Sequence, residues 1–434
     1  MKKVINLVLF CFLLILGIVV DGFAEVSSDE LLQILKEKGL VTNQDIERAK
    51  ESLKEEGTAQ KKEIVMNAAR SPKSLNFKGR VQARFTSIEN GDLESVTSQN
   101  AFDKSEFDGF VIRRVRLQFF GKVDERWKYH VQVSADGDHN ADNLDPEAAD
   151  YKLRKDEVGL KLQDGYFTYD RDEDFTVVIG QFKSRFSPSY LTSGPFLPLC
   201  ERPLAIDKLS RKREVGISIE SRKKGQLDSR GYGVKTYDRK IFYAVGLYNG
   251  NGYNRNRNDN ENFMATSMLV MRPNQHFNFG FSYAYDHVGY DSETTVLGSA
   301  MIDTNGNYVF RVKDGMVGKR INLLDVNSAL DAGSFHVQAE YIQQTGHRLD
   351  RAYGYGIQGQ VDLTDTFQIV ARYDEFDPNE DIDNSLDSRW YTLGTNWFIH
   401  GQKIKWQLNY THREEIHGGQ INNDIVITHF QVLF

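Results

Sequence analysis

The residues of this chain with the most distinctive chemistry are arginines that share one face of an extended backbone. Arg80 and Arg84 are four positions apart and Arg114 and Arg116 two, so each pair lies on a single side of a strand. A guanidinium keeps its proton at any ordinary pH and presents a planar fork of donors that grips an oxyanion through two bonds. Four of them with few acidic neighbours would form a positive strip able to hold a carboxylate, phosphate or sulfate. The opposing reading is that such arginines only keep a cavity wet or pair with acids from a loop. Lys128 extends the basic set on a later segment, where Lys128, His130, Gln132 and Ser134 alternate with Trp127, Tyr129, Val131 and Val133.

A second basic constellation occupies the connection 184–212. It leaves a strand at Ser184-Arg185-Phe186-Ser187-Pro188, and Pro195, Pro198 and Pro203 argue against a regular element. Arg185, Arg202, Lys208, Arg211, Lys212 and Arg213 stand there against Glu201, Asp207 and Glu214. The other long connections are largely acidic. The expectation is that this one folds inward and focuses its field on a passing anion. A surface loop whose charges merely cluster is the alternative.

Such side chains need strands to carry them, and the alternation supplies these from Phe77 onward. Phe77, Gly79, Val81, Ala83 and Phe85 take one face, while Lys78, Arg80, Gln82, Arg84 and Thr86 take the other. Phe277, Phe279, Phe281, Tyr283 and Tyr285 oppose Asn278, Gly280, Ser282 and Ala284; Phe335 to Tyr341, Phe367 to Asp374 and Ile425 to Phe434 repeat the pattern. A slip of one residue would turn arginines toward the apolar side, so register is well specified. In Gly109–Gly121 the parity puts Val111, Val115, Leu117 and Phe119 outside, and Ile112, Arg114, Arg116, Gln118 and Phe120 inside. Arg113 breaks the rule, either snorkelling near a rim or sitting at a bulge.

Composition selects the class. Charged residues make up 26% and aromatic residues 12%, with 35 Gly and only 8 Pro, and mean hydropathy is −0.51. Past the amino terminus no window is apolar over the ~18 residues a spanning helix needs. Strands with one lipid face and one wet face account for all of this. Short turns near 123–124, 171–172, 273–274, 362–363 and 401–402 alternate with long connections at 89–108, 136–156, 184–212, 250–261, 287–316, 377–387 and 413–422. The expected fold is an all-β transmembrane, antiparallel outer-membrane β-barrel of about 16 strands, over residues 73–434, preceded by a short helical segment. Residues 223–239 make an oddly long turn, and 287–316 has room for an extra hairpin. Sixteen strands enclose a lumen wide enough for water and solutes.

Residues 1–24 have the form of an export signal: Lys2 and Lys3, an apolar run from Val4 to Val20, and Gly22-Phe23-Ala24. Its removal takes Cys11 and leaves Cys200 alone, so no intrachain disulfide is expected. Residues 25–72 carry helical spacing at Leu31, Leu32, Ile34 and Leu35, then a capping pattern at Thr42 and Asp45. They are expected to form a periplasmic hairpin or coiled-coil element, either associating trimer subunits or acting as a spacer. The strand ending at Phe434 resembles the terminal strand by which outer-membrane barrels are recognised.

Enzymatic classes find little support. No Ser pairs with the histidines at His130, His336 and His412, the histidines lack metal-ligand spacing, and no Gly-rich loop cradles a phosphate. No cofactor, metal or nucleic acid is expected.

The segments Phe77–Arg84, Arg113–Phe119, Gly180-Gln181-Phe182-Lys183 with Phe186-Ser187-Pro188, Glu201-Arg202, Arg213–Gly216, Gln338–Tyr341 and Tyr391–Trp397 resemble, as an ordered set, the phosphate-selective porins O and P of Gram-negative outer membranes. The resemblance implies a trimeric sixteen-stranded porin with an inward third loop and an arginine-lined path for small anions. By motif position Arg80, Arg84, Arg114, Arg116 and Lys183 would carry that path. Lipid and lipopolysaccharide would surround the barrel, with the acidic outer loops as a place for bridging cations. The net charge of −7, and lumenal positions expected for Glu220, Asp286, Glu340 and Asp374, keep a broad solute porin open beside the anion channel. An envelope anchor or adhesin is the third class.

Overall fold

The computed structural model describes residues 74–89, 109–135, 160–221, 240–287, 301–302, 308–309, 320–346, 349–383, 387–417 and 422–434, apart from positions 173, 253, 255–257 and 259. The expected export signal and helical segment, residues 1–72, lie outside these, as do most of the connections 89–108, 136–156 and 287–316.

Sixteen antiparallel strands close into one barrel. They are β1 (Asn76–Ile88), β2 (Gly109–Lys122), β3 (Trp127–Ser134), β4 (Lys161–Asp170), β5 (Thr176–Lys183), β6 (Arg213–Glu220), β7 (Ile241–Tyr248), β8 (Met264–Met271), β9 (Phe277–His287), β12 (Arg320–Ala332), β13 (Phe335–Gly346), β14 (Leu349–Asp362), β15 (Phe367–Asp377), β16 (Ser388–Gln402), β17 (Ile404–Glu415) and β18 (Ile425–Leu433). Two-residue strands β10 (Met301–Ile302) and β11 (Tyr308–Val309) form the extra hairpin for which 287–316 has room, separate from the barrel. Closure is by β1 on β18, with Arg84 opposite His429. Beyond that ladder, the Gly79 amide donates to the Phe434 carbonyl at 2.7 Å and the Phe434 amide to the Gly79 carbonyl at 3.1 Å.

Short polar side chains start the tight turns at one end. Asp124 accepts from the amides of Arg126 and Trp127, both at 2.7 Å. Asn274 does the same for His276 at 2.8 Å and Phe277 at 3.0 Å, and the Thr364 hydroxyl accepts from the Phe367 amide at 2.9 Å. The connection 221–240 is the long exception at that end. At the opposite end the connection 347–348 between β13 and β14 is short where long connections are the rule.

The alternation sorts the faces as expected. On β1, Arg80, Gln82, Arg84 and Thr86 are buried inside, while Phe77 and Val81 are exposed outside. Val131, Phe167, Ile219, Val245, Phe281 and Leu393 continue the outer apolar band. Aromatic rings edge it at both ends, with Phe77 beside Phe119 and Trp127 beside Tyr169 near the short turns. Tyr355, Tyr373 and Tyr391 pack in series, tilted and then edge to face, nearer the long connections. This is the two-girdle pattern of a strand-built membrane span.

Candidate functional site

Two β-bulges re-aim the charged residues of the lumen wall. Gln82 faces Arg114, but the next residue, Ala83, faces Ile112, so Arg113 is the extra residue of β2. Beyond the bulge the parity inverts: Ile112, expected inside, is 49% exposed on the outer face, and Val111 takes the inner register position opposite Arg84. Arg113 itself turns inward and does not snorkel. On β4 the same device operates: Gln132 faces Asp164 and Val133 faces Leu162, so Gln163 and Asp164 are both buried on the inside. Each bulge thus brings two consecutive polar side chains to one face.

The connection 184–212 lies within the barrel. Three of its four prolines lie at the start of helical turns instead of forbidding them: Pro188 opens α1 (Pro188–Leu191), Pro195 lies in a 3₁₀ turn at Gly194–Phe196, and Pro203 precedes α2 (Leu204–Leu209), whereas Pro198 lies in no regular element. The Ser187 hydroxyl caps α1 by accepting from the Tyr190 amide at 3.1 Å. Phe186, Tyr190, Leu204, Ile206 and Leu209 are buried against Ile321, Leu323, Ile342 and Phe376 of the wall. Each such burial contributes about 1.5–3 kcal/mol. Polar anchors complete the attachment. Lys405 donates to the carbonyls of Pro195 at 2.8 Å and Leu197 at 3.1 Å, and Asn396 donates to that of Pro198 at 2.8 Å. Arg372 donates to the Glu201 carbonyl at 2.8 Å, and the Ser187 hydroxyl donates to Glu340 at 2.5 Å.

The loop carries an acid to the arginine strip. Arg113 donates to Glu201 through Nε at 2.9 Å and Nη2 at 3.3 Å. Arg114 Nη2 lies 3.4 Å from the same carboxylate, and Arg84 also pairs with it. The strip therefore has a resident counter-ion, which corrects the expectation of few acidic neighbours. Arg80 and Arg116 face each other across β1 and β2. Arg80 reaches the Ser193 hydroxyl at 3.5 Å. A Cβ on Gly194 would come within 3.6 Å of Arg80 and 3.8 Å of Arg114, so the loop backbone runs directly over the strip.

The remaining predicted residues divide. Lys183 donates to the Tyr190 and Thr192 carbonyls at 2.6 and 3.2 Å, closing the end of α1. Arg202 donates to Thr192 at 2.7 Å and lies over the Tyr190 ring. Arg213 grips Asp164 through two bonds, at 2.9 and 3.1 Å. Lys183 and Arg202 share the Thr192 carbonyl, and Lys183 stands opposite Arg213 across β5 and β6, so these three gather between the loop and the wall, while Arg116 stays beside Arg80. Three others stand apart. Arg185 is paired with Glu220, Arg211 with Asp286 at 3.4 Å, and Lys128 with Asp170 near the short turns. Lys208 follows Asp207 in α2, half-buried.

Glu220, Asp286, Glu340 and Asp374 are buried on the inner wall, where parity put them. Sequence reasoning passed over Arg113, Lys405, Arg372 and Asp164 as site residues. Lys405 was legible as a cation on the inner face of β17, which it shares with Arg413. Among the described residues, Asp383, Asp387 and His417 bring ligand atoms within 4.8 Å of one another, in the connections flanking β16 and β17.

The sequence profile of the family described as phosphate-selective porin O and P matches residues 76–433. Among curated protein sequences, none matches the chain. Several solved structures share the fold at low identity. The anion-selective porin from Comamonas acidovorans is 10% identical, with a TM-score of 0.53 over 83% of this chain and 99% of its own. The outer membrane channel DcaP of Acinetobacter baumannii is 10% identical, with a TM-score of 0.53 over 83% of this chain and 97% of its own. Salmonella typhi OmpF, in a complex with daunomycin, is 10% identical, with a TM-score of 0.52 over 83% and 97%.

Proposed function

Because the chain belongs to the phosphate-selective porin O and P family, we propose that this outer-membrane porin passes small anions, phosphate among them, by passive diffusion. The observation that carries the reading is the gathering of Lys183, Arg202 and Arg213 around one side of the inward loop, with Asp164 as the acid paired there. A hydrated oxyanion exchanges its water for such donors without any conformational step, and arginine serves it through two bonds. Held next to low-dielectric walls, the cluster raises the local concentration of anions over cations.

Residues 1–24 serve in this account as the export signal and 25–72 as a periplasmic helical segment. The working assembly is a homotrimer embedded in lipid and lipopolysaccharide. A general solute porin is the second reading, favoured by the acids Asp286, Glu340 and Asp374 on the opposite wall. Single-channel reversal potential across a chloride gradient separates the two: an anion-selective value supports the proposal, and a weak or cation-selective value supports the general porin.

A further inference from the structure

We infer that Arg84, Arg113 and Arg114 form an oxyanion site whose resident ligand is the chain's own Glu201, a tethered anion that an entering solute must displace. The inference rests on the anion reading above. Three guanidiniums from two strands converge on one carboxylate, and Arg113 offers it two parallel donors. Nothing in a loop staple requires three: a single bidentate pair would hold the loop. The Arg84 and Arg114 side chains are almost wholly buried, whereas Glu201 keeps 31% of its side-chain surface open to the lumen. Two of the three donors are thus enclosed, while Arg113, 25% exposed, and the ligand remain reachable.

The backbone on either side of Glu201 has its own anchors. Cys200 packs against Ile425 and Ile427, the Glu201 carbonyl accepts from Arg372 at 2.8 Å, and Arg202 is tied to Thr192 at 2.7 Å. The carboxylate can leave the arginines without the loop leaving the wall. A solute oxyanion arriving there exchanges one charge-assisted set of bonds for another, so binding is weakened by the competition and release is eased when Glu201 returns. A site of this kind favours passage over retention, as conduction requires.

The test uses the full chain in planar bilayers, with inorganic phosphate titrated against chloride current. Glu201→Gln leaves the three arginines without their resident charge. It is expected to shift the reversal potential further toward the anion side and to lower the phosphate concentration for half-block roughly ten-fold. Glu201→Asp, which keeps the charge but draws it back by one methylene, is expected to fall between wild type and Glu201→Gln, and carries the test if the amide variant does not assemble. An anion-selective wild type with both variants unchanged would overturn the inference and leave the anion channel standing. Raised conductance with unchanged selectivity would also overturn it, reducing Glu201 to a loop fastener. A non-selective wild type that stays non-selective as Glu201→Gln would overturn the inference and the anion reading together.

Discussion

The Lys405 ammonium, on the inner face of β17, donates to the carbonyl of Pro195 in the middle of the inward loop. The amine is fully buried and also serves Leu197, so it fastens the loop to a wall far from where the loop leaves β5. Lys405→Met removes the donor and keeps the stem. It should cost about 2 kcal/mol, lower the temperature at which the folded band converts on a gel, and raise single-channel conductance. Wild-type values for both would mean that Lys405 is dispensable.

Cys200 reports on the same packing. Only 2% of it is exposed, and burial pushes its thiol up to about 11. Because the thiolate is the reactive form, maleimide at pH 8 should leave native protein unlabelled and label it fully once unfolded, as read by intact mass. Rapid labelling of the native barrel would place the loop away from the wall.

Gly354 on β14 makes room for α2. A Cβ there would lie 2.5 Å from the Ala205 Cβ and 2.5 Å from the Glu375 carbonyl oxygen. Gly354→Val should therefore cost about 1–3 kcal/mol by overpacking and lift α2, exposing Arg202 and Lys208 to trypsin. Cleavage there in the variant alone is the expected result.

Asp424, just before β18, sets part of the acid limit. Burial alone would raise its pKa, but hydrogen bonds from Tyr410, the Arg413 amide and His412 outweigh that and hold it below the ordinary value. A depressed carboxyl contributes stability above its unfolded pKa of ~3.9 and loses it as pH falls through the lower folded value. Retention of the folded band should decline below about pH 4, and Asp424→Asn should flatten that part of the curve.

Much of the fold was legible in the chain because each strand states its own faces: Phe77 to Phe85 and Phe277 to Tyr285 alternate without a break. The bulge at Arg113 was half-legible, since a bulge is decided by the partner strand and leaves only a broken alternation behind. The Glu201 contacts were not, because Arg84, Arg113 and Arg114 lie 117, 88 and 87 positions away. The docking surface for the loop did leave a trace. Ile321 and Leu323 put apolar side chains on the inner parity of β12, where a wet lumen would want polar ones, and they are buried against the loop.

The proposed role of the basic side chains beside the inward loop is to set the selectivity. The most direct measurement is the single-channel reversal potential in a chloride gradient, followed by phosphate titration, for wild type and for Arg114→Ala combined with Arg116→Ala. Anion selectivity with phosphate block is expected in the wild type, and loss of both in the double variant. Cation preference in the wild type, or selectivity unaltered by removing both arginines, would contradict it.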